Sequence, residues 1–379
     1  MKHVIFSFLC LFFLQTSYGQ SKIDNILPVR GLAIAAPSVR GVDQFCKFIT
    51  EELAPAHFNM LILRVDWNYA YESHPELRDP NPLTKADVKK IVAACKKHNI
   101  KIAPQINLLG HQSWASTTLN LLRVYPEFDE APHIKTADYE ILTAPRTAAD
   151  GLYCKSYCPL HPGVHKVVFA VVDEIMDVFE AEWFHAGMDE VYHIGDERCP
   201  RCNGKCKAEL FAGEVNKIRD HLAQKNRRMM IWGDRLIDGK TTGLGPWEAS
   251  MNNTHRAIDM IHKDVFICDW HYERADLSCV LFAMKGFDVA TCPWRTPEFA
   301  AVQLQNMVDF RQQTRRIAMG NHFQGIIQTV WSGADGFLQL YYNPETYNLP
   351  PNATREQRFH GGDARTLKRM MEEFKKLNE

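Results

Sequence analysis

The sequence predicts an α/β fold of the (β/α)8 barrel class, on three observations. Eight short apolar runs alternate with helical patterns between residues 31 and 331, as a series of βα units requires. Seven of these runs are followed by polar residues, at the end of the strand where barrel enzymes assemble their sites. No glycine-rich phosphate loop follows the first run, so an open doubly wound sheet is the weaker alternative.

The predicted strands are apolar runs of the length that buried parallel strands have. In chain order they lie at residues 31–36, 60–67, 101–107, from 183, 229–234, 265–272, 288–294 and 325–331. The polar residues at or just past their carboxyl ends are Asp66, Asn107, Glu190, Asp234, Tyr272, Arg295 and Ser332. Because the carboxyl ends of barrel strands meet at one rim, we expect these side chains to converge.

The predicted helices are stretches in which apolar residues recur every three or four positions. They cover 42–58, a stretch that begins at 84, 161–180, about 207–225 and 275–285. Thr84 and Asp87 have the spacing of a capping box, which sets the start of the second helix. The connection 108–160 after the third strand is long for a compact domain, and such length is typical of a lid or cap.

The amino-terminal segment predicts export. Residues 1–19 combine a short basic start, an apolar stretch at 4–14 and small residues before Gln20, as in a cleaved signal peptide. The apolar stretch is too short to span a bilayer. We therefore expect 20–379 to form a single barrel domain in the periplasm or the medium. The net charge of −1 and the lack of basic runs exclude a nucleic-acid partner, no later stretch could span a membrane, and the oligomeric state stays open.

Ten of the 11 cysteines follow the predicted signal peptide. In an exported protein, disulfide bonds are the first expectation. The alternative is a structural zinc site, because Cys199, Cys202 and Cys206 include a C-x2-C spacing. Cys154 and Cys158, the other candidate ligands, lack that spacing, so disulfides are preferred and neither a metal nor a cofactor is expected.

The fourth strand ends in the adjacent carboxylates Asp189 and Glu190. Burying carboxylates is costly unless they are paired or protonated, so this strand end favours a chemical role over an acidic helix start. Neighbouring strand residues point to opposite sides, so one carboxyl could donate a proton while the other, ionised, holds a dipole. The pair is too close for an ordinary glycosidase, whose carboxylates lie about 5–9.5 Å apart, and it suits a substrate that supplies its own nucleophile.

The segment His185-Ala-Gly-Met-Asp-Glu190 resembles the His-x-Gly-Gly-Asp-Glu motif of the family 20 glycoside hydrolases, the β-N-acetylhexosaminidases. Pro104-Gln-Ile-Asn-Leu-Leu-Gly-His111 is similar to a second motif of that family, Pro-Glu-Ile-Asp-x-Pro-Gly-His, and further likenesses extend over most of 20–379. The resemblance implies that Glu190 is the general acid/base and that Asp189 orients the substrate's 2-acetamido group.

The resemblance also implies a substrate pocket at the barrel rim. Its residues would be Asp66, His111, Trp232, Asp234, Trp270, Tyr272, Trp294, Arg295 and Trp331. His111 would lie near Glu190 with Asp66 behind it. Tyr272 would take the place of the family's seventh-strand tyrosine, because Trp294 occupies that position in this chain.

Departures from the family pattern put the sugar and the linkage in doubt. Met188 replaces a glycine, and Gln105 and Asn107 replace acidic residues. No arginine follows the first strand, where the family has one that binds sugar hydroxyls. The candidate replacements are Arg40, Arg64 and Arg295.

We therefore expect an exported glycosidase that removes terminal β-linked N-acetylhexosamine from a glycan or glycoconjugate by substrate-assisted, retaining catalysis. One alternative is a glycosidase of the same barrel type with altered sugar specificity, and another is a non-catalytic glycan-binding barrel. A zinc hydrolase that uses the cysteine clusters is the least favoured, because all-cysteine sites are usually structural. Exo or endo preference stays open.

Overall fold

The computed structural model describes residues 21–136 and 154–379. The predicted signal peptide (1–19) and the middle of the long connection (137–153) lie outside the described residues. The described residues form ten strands, which are β1 (Val29–Ala35), β2 (Met60–Arg64), β3 (Lys101–Leu108), β4 (Ser113–Trp114), β5 (Thr117–Thr118), β6 (Trp183–Gly187), β7 (Arg228–Trp232), β8 (Phe266–Trp270), β9 (Val289–Cys292) and β10 (Phe323–Gly333).

Eight of these strands form a closed parallel barrel, which confirms the predicted fold class. Their order around the barrel is β1-β2-β3-β6-β7-β8-β9-β10, and β10 pairs with β1 to close the ring. β4 and β5 form a separate antiparallel hairpin in the long connection after β3. The strand carrying the two carboxylates is β6, the fourth strand of the barrel.

Helices surround the barrel and alternate with its strands. They are α1 (Lys22–Ile26), α2 (Val42–Phe48), α3 (Lys85–Lys97), α4 (Asn120–Val124), α5 (Val164–Val178), α6 (Lys207–Ala223), α7 (Gly239–Thr242), α8 (Gly245–Glu248), α9 (Ser278–Met284), α10 (Pro297–Gln313), α11 (Ala334–Tyr342), α12 (Arg355–Phe359) and α13 (Gly362–Asn378). The hydroxyl of Thr84 accepts a hydrogen bond from the backbone N–H of Asp87, so the predicted capping box begins α3. In the described part of the chain, no helix has the length and apolarity needed to cross a membrane.

The barrel interior is a packed core rather than a pore. Inward side chains from the strands fill it, among them Met60, Ile62, Trp183, Met230, Trp232, Phe266, Trp270 and Ile327. A second, larger apolar cluster lies between the strands and the helices. Gly325 allows the ring to close, because a Cβ there would lie 1.8 Å from the carbonyl oxygen of Val29.

The predicted disulfides are not formed among the described cysteines, all of which are free thiols. The sulfur of Cys158 lies 3.6 Å from that of Cys199 and 3.5 Å from that of Cys202. A disulfide bond would bring two sulfurs to about 2.05 Å. Cys154 and Cys206, which the sequence grouped with these three, lie apart from them, since Cys154 contacts His111 and Cys206 is exposed.

Candidate active site

The carboxyl ends of the barrel strands form a rim with an unusual backbone. Asp66, His111, Met188 and Glu190 have φ angles of 44°, 52°, 71° and 50°, in the left-handed region that non-glycine residues rarely occupy. Each such residue costs on the order of 1–3 kcal/mol, and they cluster at functional sites. Met188 stands where the resembled family motif has glycine, the residue that adopts this conformation without strain.

Asp189 and Glu190, together the carboxylate pair, lie just beyond the end of β6 and are 5% and 6% exposed. Both contact one atom, His111 Nε2, which lies 3.0 Å from Asp189 Oδ2 and 3.2 Å from Glu190 Oε2. The prediction that the two side chains point to opposite sides is therefore wrong. β6 ends at Gly187, and the left-handed residues Met188 and Glu190 break the alternation of the strand.

His111 and Asp189 form a buried ion pair. Burial alone would lower the pKa of His111, but the negative charge of Asp189 outweighs it and raises the pKa well above its ordinary value. Burial alone would raise the pKa of Asp189, but the charge of His111 and its hydrogen bond outweigh that effect and lower the pKa. At neutral pH the imidazole is therefore a cation and Asp189 is ionised.

The second oxygen of Asp189 has no such partner. Asp189 Oδ1 is buried and makes no hydrogen bond to any described residue. A buried acceptor without a partner costs about 1–3 kcal/mol, and in a native site it requires an explanation. The indole Nε1 of Trp232, on the neighbouring strand β7, is likewise a buried donor that makes no hydrogen bond to a described residue.

Asp234, just past β7, fixes the backbone of the carboxylate pair. Its Oδ2 accepts hydrogen bonds from the backbone N–H of Glu190 at 3.0 Å and from Arg235 Nε at 2.5 Å. Its Oδ1 accepts from the indole N–H of Trp270 at 3.3 Å. Burial, opposed by the charge of Arg235, raises the pKa of Asp234 to about 6. Asp234 therefore positions the backbone of Glu190.

Aromatic side chains from four strands form a continuous wall beside this cluster. The rings of Trp232 and Trp331 lie 5.6 Å apart, centroid to centroid, and the indole N–H of Trp331 donates to the hydroxyl of Tyr272 at 2.8 Å. Tyr272 in turn stacks on Trp270 at 5.0 Å and meets Trp294 edge-on at 5.2 Å. These five residues are the aromatic wall, and the structure brings together all the tryptophans and the tyrosine that the sequence singled out.

Arg64 is the best placed of the three candidate arginines. At the end of β2, its guanidinium lies 5.5 Å from the ring centroid of Trp331, and its Nε lies 3.5 Å from Asp66 Oδ2. Arg295 lies at the outer edge of the aromatic wall, over the rings of Trp294 and Phe359 at 3.9 and 3.7 Å. Arg40 is exposed in the connection after β1.

Asp66 supports the rim in a different way from the one predicted. Its Oδ1 accepts a hydrogen bond from the backbone N–H of Asn107 at 2.8 Å, so it holds the end of β3 in place. The ring nitrogen Nε2 of His111 contacts the carboxylate pair and not Asp66. Burial raises the pKa of Asp66, and the charge of His111 opposes this rise without cancelling it.

Three contacts of the site were missed by sequence reasoning. Arg235 is buried and binds the carbonyl oxygens of 246, 247 and 249, which ties the loop after β7 to Asp234. Cys154 accepts from the backbone N–H of His111 at 3.1 Å. Trp114, on the β4–β5 hairpin, stacks on the His111 ring at 5.8 Å. The adjacent Asp234-Arg235 and the aromatic content of the long connection were the available signals.

Among the described residues, three groups of side chains have the composition of a metal site. They are Glu130 with Cys158, Cys199 and Cys202; His111 with Cys154 and Glu190; and Glu248 with His271 and Asp276. In the second group, Nε2 of His111 already contacts both carboxylates of the pair.

Comparison with known proteins identifies the family whose catalytic domain this barrel matches. The model of the glycosyl hydrolase family 20 catalytic domain matches residues 66–339, which include both carboxylates, His111 and the aromatic wall. A beta-hexosaminidase of Vibrio furnissii is 23% identical over 213 residues, 55% of this chain and 30% of that protein. Hexosaminidase D of Bos taurus is 22% identical over 193 residues, 48% of each chain. The aligned parts thus make up less than half the length of these relatives.

Solved structures show the same fold. A beta-N-acetylhexosaminidase has a TM-score of 0.60 at 17% identity, with 93% of this chain and 76% of that chain covered. An exo beta-N-acetylglucosaminidase of Vibrio harveyi, solved with N-acetylglucosamine, has a TM-score of 0.56 at 15% identity, with 93% and 58% covered. At these identities the likeness is one of fold.

Proposed function

The chain belongs to glycosyl hydrolase family 20, and on that premise we propose that it is a glycoside hydrolase that removes a terminal β-linked N-acetylhexosamine by substrate-assisted, retaining catalysis. The observation that carries the proposal is the arrangement around His111. One carboxylate of the pair is ionised and keeps a buried oxygen without a partner, and the other lies within reach of the same imidazolium.

In the first step, Glu190 gives its proton to the glycosidic oxygen as the bond between that oxygen and the anomeric carbon breaks. The carbonyl oxygen of the substrate's own acetamido group forms the new bond to the anomeric carbon and closes a five-membered ring. Asp189 Oδ1 accepts the acetamido N–H, and the negative charge of Asp189 stabilises the positive charge that the ring acquires.

In the second step, Glu190 acts as the base. It takes a proton from a water molecule, whose oxygen attacks the anomeric carbon and reopens the ring. Two displacements at the anomeric carbon restore the β configuration, so the product has the same anomeric configuration as the substrate. His111 stays between the carboxylates through both steps, and its fixed positive charge keeps Asp189 ionised when Glu190 exchanges its proton.

The aromatic wall supplies a surface for the sugar ring and the acetamido methyl group. The hydroxyl oxygen of Tyr272 accepts the N–H of Trp331, and we assign its O–H to the acetamido oxygen. Arg64, beside this wall, is the group we assign to the sugar hydroxyls.

A glycosidase of the same barrel type with altered sugar specificity is the second candidate. It is favoured by the position of Arg64, which reaches the rim from β2, whereas the resembled family places its arginine after the first strand. An arginine that enters from another strand contacts a different set of hydroxyl groups. Both candidates require a 2-acetamido group, so they differ in the sugar and not in the chemistry.

Aryl β-glycosides of N-acetylglucosamine, N-acetylgalactosamine, glucose and galactose test the proposal. We expect turnover of acetamido sugars only. E190Q should lose about 10²–10⁴ in kcat on substrates with poor leaving groups. D189N should lose activity even on good leaving groups, because the ring closure itself is impaired. E197Q, an exposed acid seven residues beyond, should match wild type. Equal turnover of plain glucosides would refute substrate assistance, whereas glycan binding without turnover would favour a non-catalytic barrel.

A further inference from the structure

Three thiols and one carboxylate meet in a buried cluster beside the rim. Glu130 and Cys158 belong to the long connection after β3, and Cys199 and Cys202 to the connection between β6 and α6. One ligand atom from each of the four lies within 4.8 Å of all the others. None of the four residues is more than 5% exposed. The cluster therefore joins the loop that carries His111 to the loop that follows the carboxylate pair.

The distances between the sulfurs fit ligands of one tetrahedral ion. Cys158 Sγ lies 3.6 Å from Cys199 Sγ and 3.5 Å from Cys202 Sγ. A zinc ion with bonds of about 2.3 Å to sulfur holds neighbouring ligands about 3.8 Å apart. A disulfide would need about 2.05 Å and could use only two of the three sulfurs. Two sulfurs that both lie at tetrahedral spacing from that of Cys158 favour a metal over a disulfide.

The turn from Cys199 to Cys202 brings two of the sulfurs to the same side of the cluster, within 4.8 Å of each other. The turn itself is closed by a hydrogen bond from the N–H of Asn203 to the carbonyl of Cys199 at 3.1 Å.

Glu130 completes the set with one oxygen fixed and one available. Its Oε1 accepts the backbone N–H of Asp196 at 2.9 Å. Its Oε2 is buried and accepts no hydrogen bond from a nitrogen or hydroxyl of the described residues. Leaving a buried carboxylate oxygen in this state is costly, and a cation beside it removes the cost.

We propose that Glu130, Cys158, Cys199 and Cys202 bind one zinc ion in a closed tetrahedral site. With four protein ligands and no open position, the ion has a structural role. It fixes the two rim loops to each other and so holds His111 and the carboxylate pair at their working separation. The proposal does not depend on the glycosidase function, because it concerns only these ligands.

Metal content of the full-length chain, purified without chelator, is the first measurement. We expect one zinc per chain by elemental analysis, retained in C206S and lost in the double variant C199S/C202S. Cys206 is the matched control because it lies four residues from Cys202 but is exposed. A wild-type protein without zinc, or a Cys158 disulfide to Cys199 or Cys202 in unreduced peptide mass spectra, would overturn the proposal.

Cobalt substitution keeps the proposal testable if the double variant does not fold. Wild type loaded with Co²⁺ should show the strong visible absorption of tetrahedral cobalt and a thiolate charge-transfer band in the near ultraviolet. C158S should weaken the charge-transfer band, and E130Q should shift the visible bands while it keeps the thiolate signal. Weak visible absorption without a thiolate band in the wild type would mean that the cluster is not a metal site.

Discussion

Replacing His111 by glutamine tests whether the carboxylate pair depends on a buried cation. Nε2 of His111 lies 3.0 Å from Asp189 Oδ2 and 3.2 Å from Glu190 Oε2. With an effective dielectric constant of about 20, the attraction at 3.0 Å is about 5.5 kcal/mol before the cost of desolvation. Because removal of one partner leaves a buried charge uncompensated, we expect H111Q to lose about 3–5 kcal/mol of unfolding free energy.

This loss should depend on pH in a defined way. The folded-state pKa of His111 is raised, so its stabilising effect is complete below about pH 6.5 and disappears as the pH rises through the folded-state value. The folded-state pKa of Asp189 is lowered, so its effect is complete above about pH 3.9 and disappears as the pH falls through the folded-state value. The difference between wild type and H111Q should therefore be largest between about pH 4 and pH 6.5.

Urea unfolding followed by tryptophan fluorescence, repeated across this pH range, measures the difference. H262Q is the control, because His262 Nε2 lies 3.7 Å from Asp220 Oδ1 with both side chains about half exposed. Such a surface pair is worth only about 0–1 kcal/mol. An equal loss in H111Q and H262Q, or a loss in H111Q that does not change with pH, would refute the buried ion pair.

Four further outcomes can be measured. Arg64→Lys should raise KM several-fold with little change in kcat, because a compact ammonium cannot replace a planar guanidinium beside the aromatic wall, and an unchanged KM would remove its assigned role. Tyr272→Phe should keep the ring and lower kcat about 10²-fold, which steady-state kinetics with a thermal scan for folding would check. Gly110→Ala should lower both melting temperature and kcat, because a Cβ there would lie 2.3 Å from a backbone oxygen of the carboxylate pair, whereas Gly213→Ala, in open space, should not. We expect the mature protein to lack residues 1–19 by intact mass, and a mature product that retains them would contradict the predicted signal peptide.

The strands and five of the helices (α2, α3, α5, α6 and α9) could be predicted because their signals are local. The eight barrel strands lie within or beside the predicted apolar runs, and the capping box at Thr84 begins α3 as its spacing indicates. The strand ends are less accurate, since β6 stops at Gly187, although its sequence stays apolar through Met188. α13 was not predicted, but its buried residues recur at helical spacing, so the same reasoning could have found it.

The candidate site could be predicted as a set of residues but not as a set of contacts. The carboxyl ends of all barrel strands meet at one rim, whatever partners their residues have. Asp234 and Tyr272 could therefore be predicted as residues of the site. The partners depend on the path of the backbone. The glycine that the resembled motif has at Met188 signals a left-handed backbone there, but it does not reveal that both carboxylates contact one imidazole. Arg235, the buried cation that pairs with Asp234, is signalled in the sequence only by its position next to Asp234.

The position of His111 depends on two glycines at which the ends of β3 and β6 touch. A Cβ at Gly110 would lie 2.3 Å from the carbonyl oxygen of Asp189, and a Cβ at Gly187 would lie 2.7 Å from Asn107 Oδ1. Each motif therefore contributes a glycine that lets the other strand end approach. The imidazole reaches the carboxylate pair because of this backbone contact. His111 and Asp189 are 78 residues apart in the sequence, yet the two motifs that contain them act as one unit. A change in either glycine should then disturb the proton-transfer and acetamido-binding groups together.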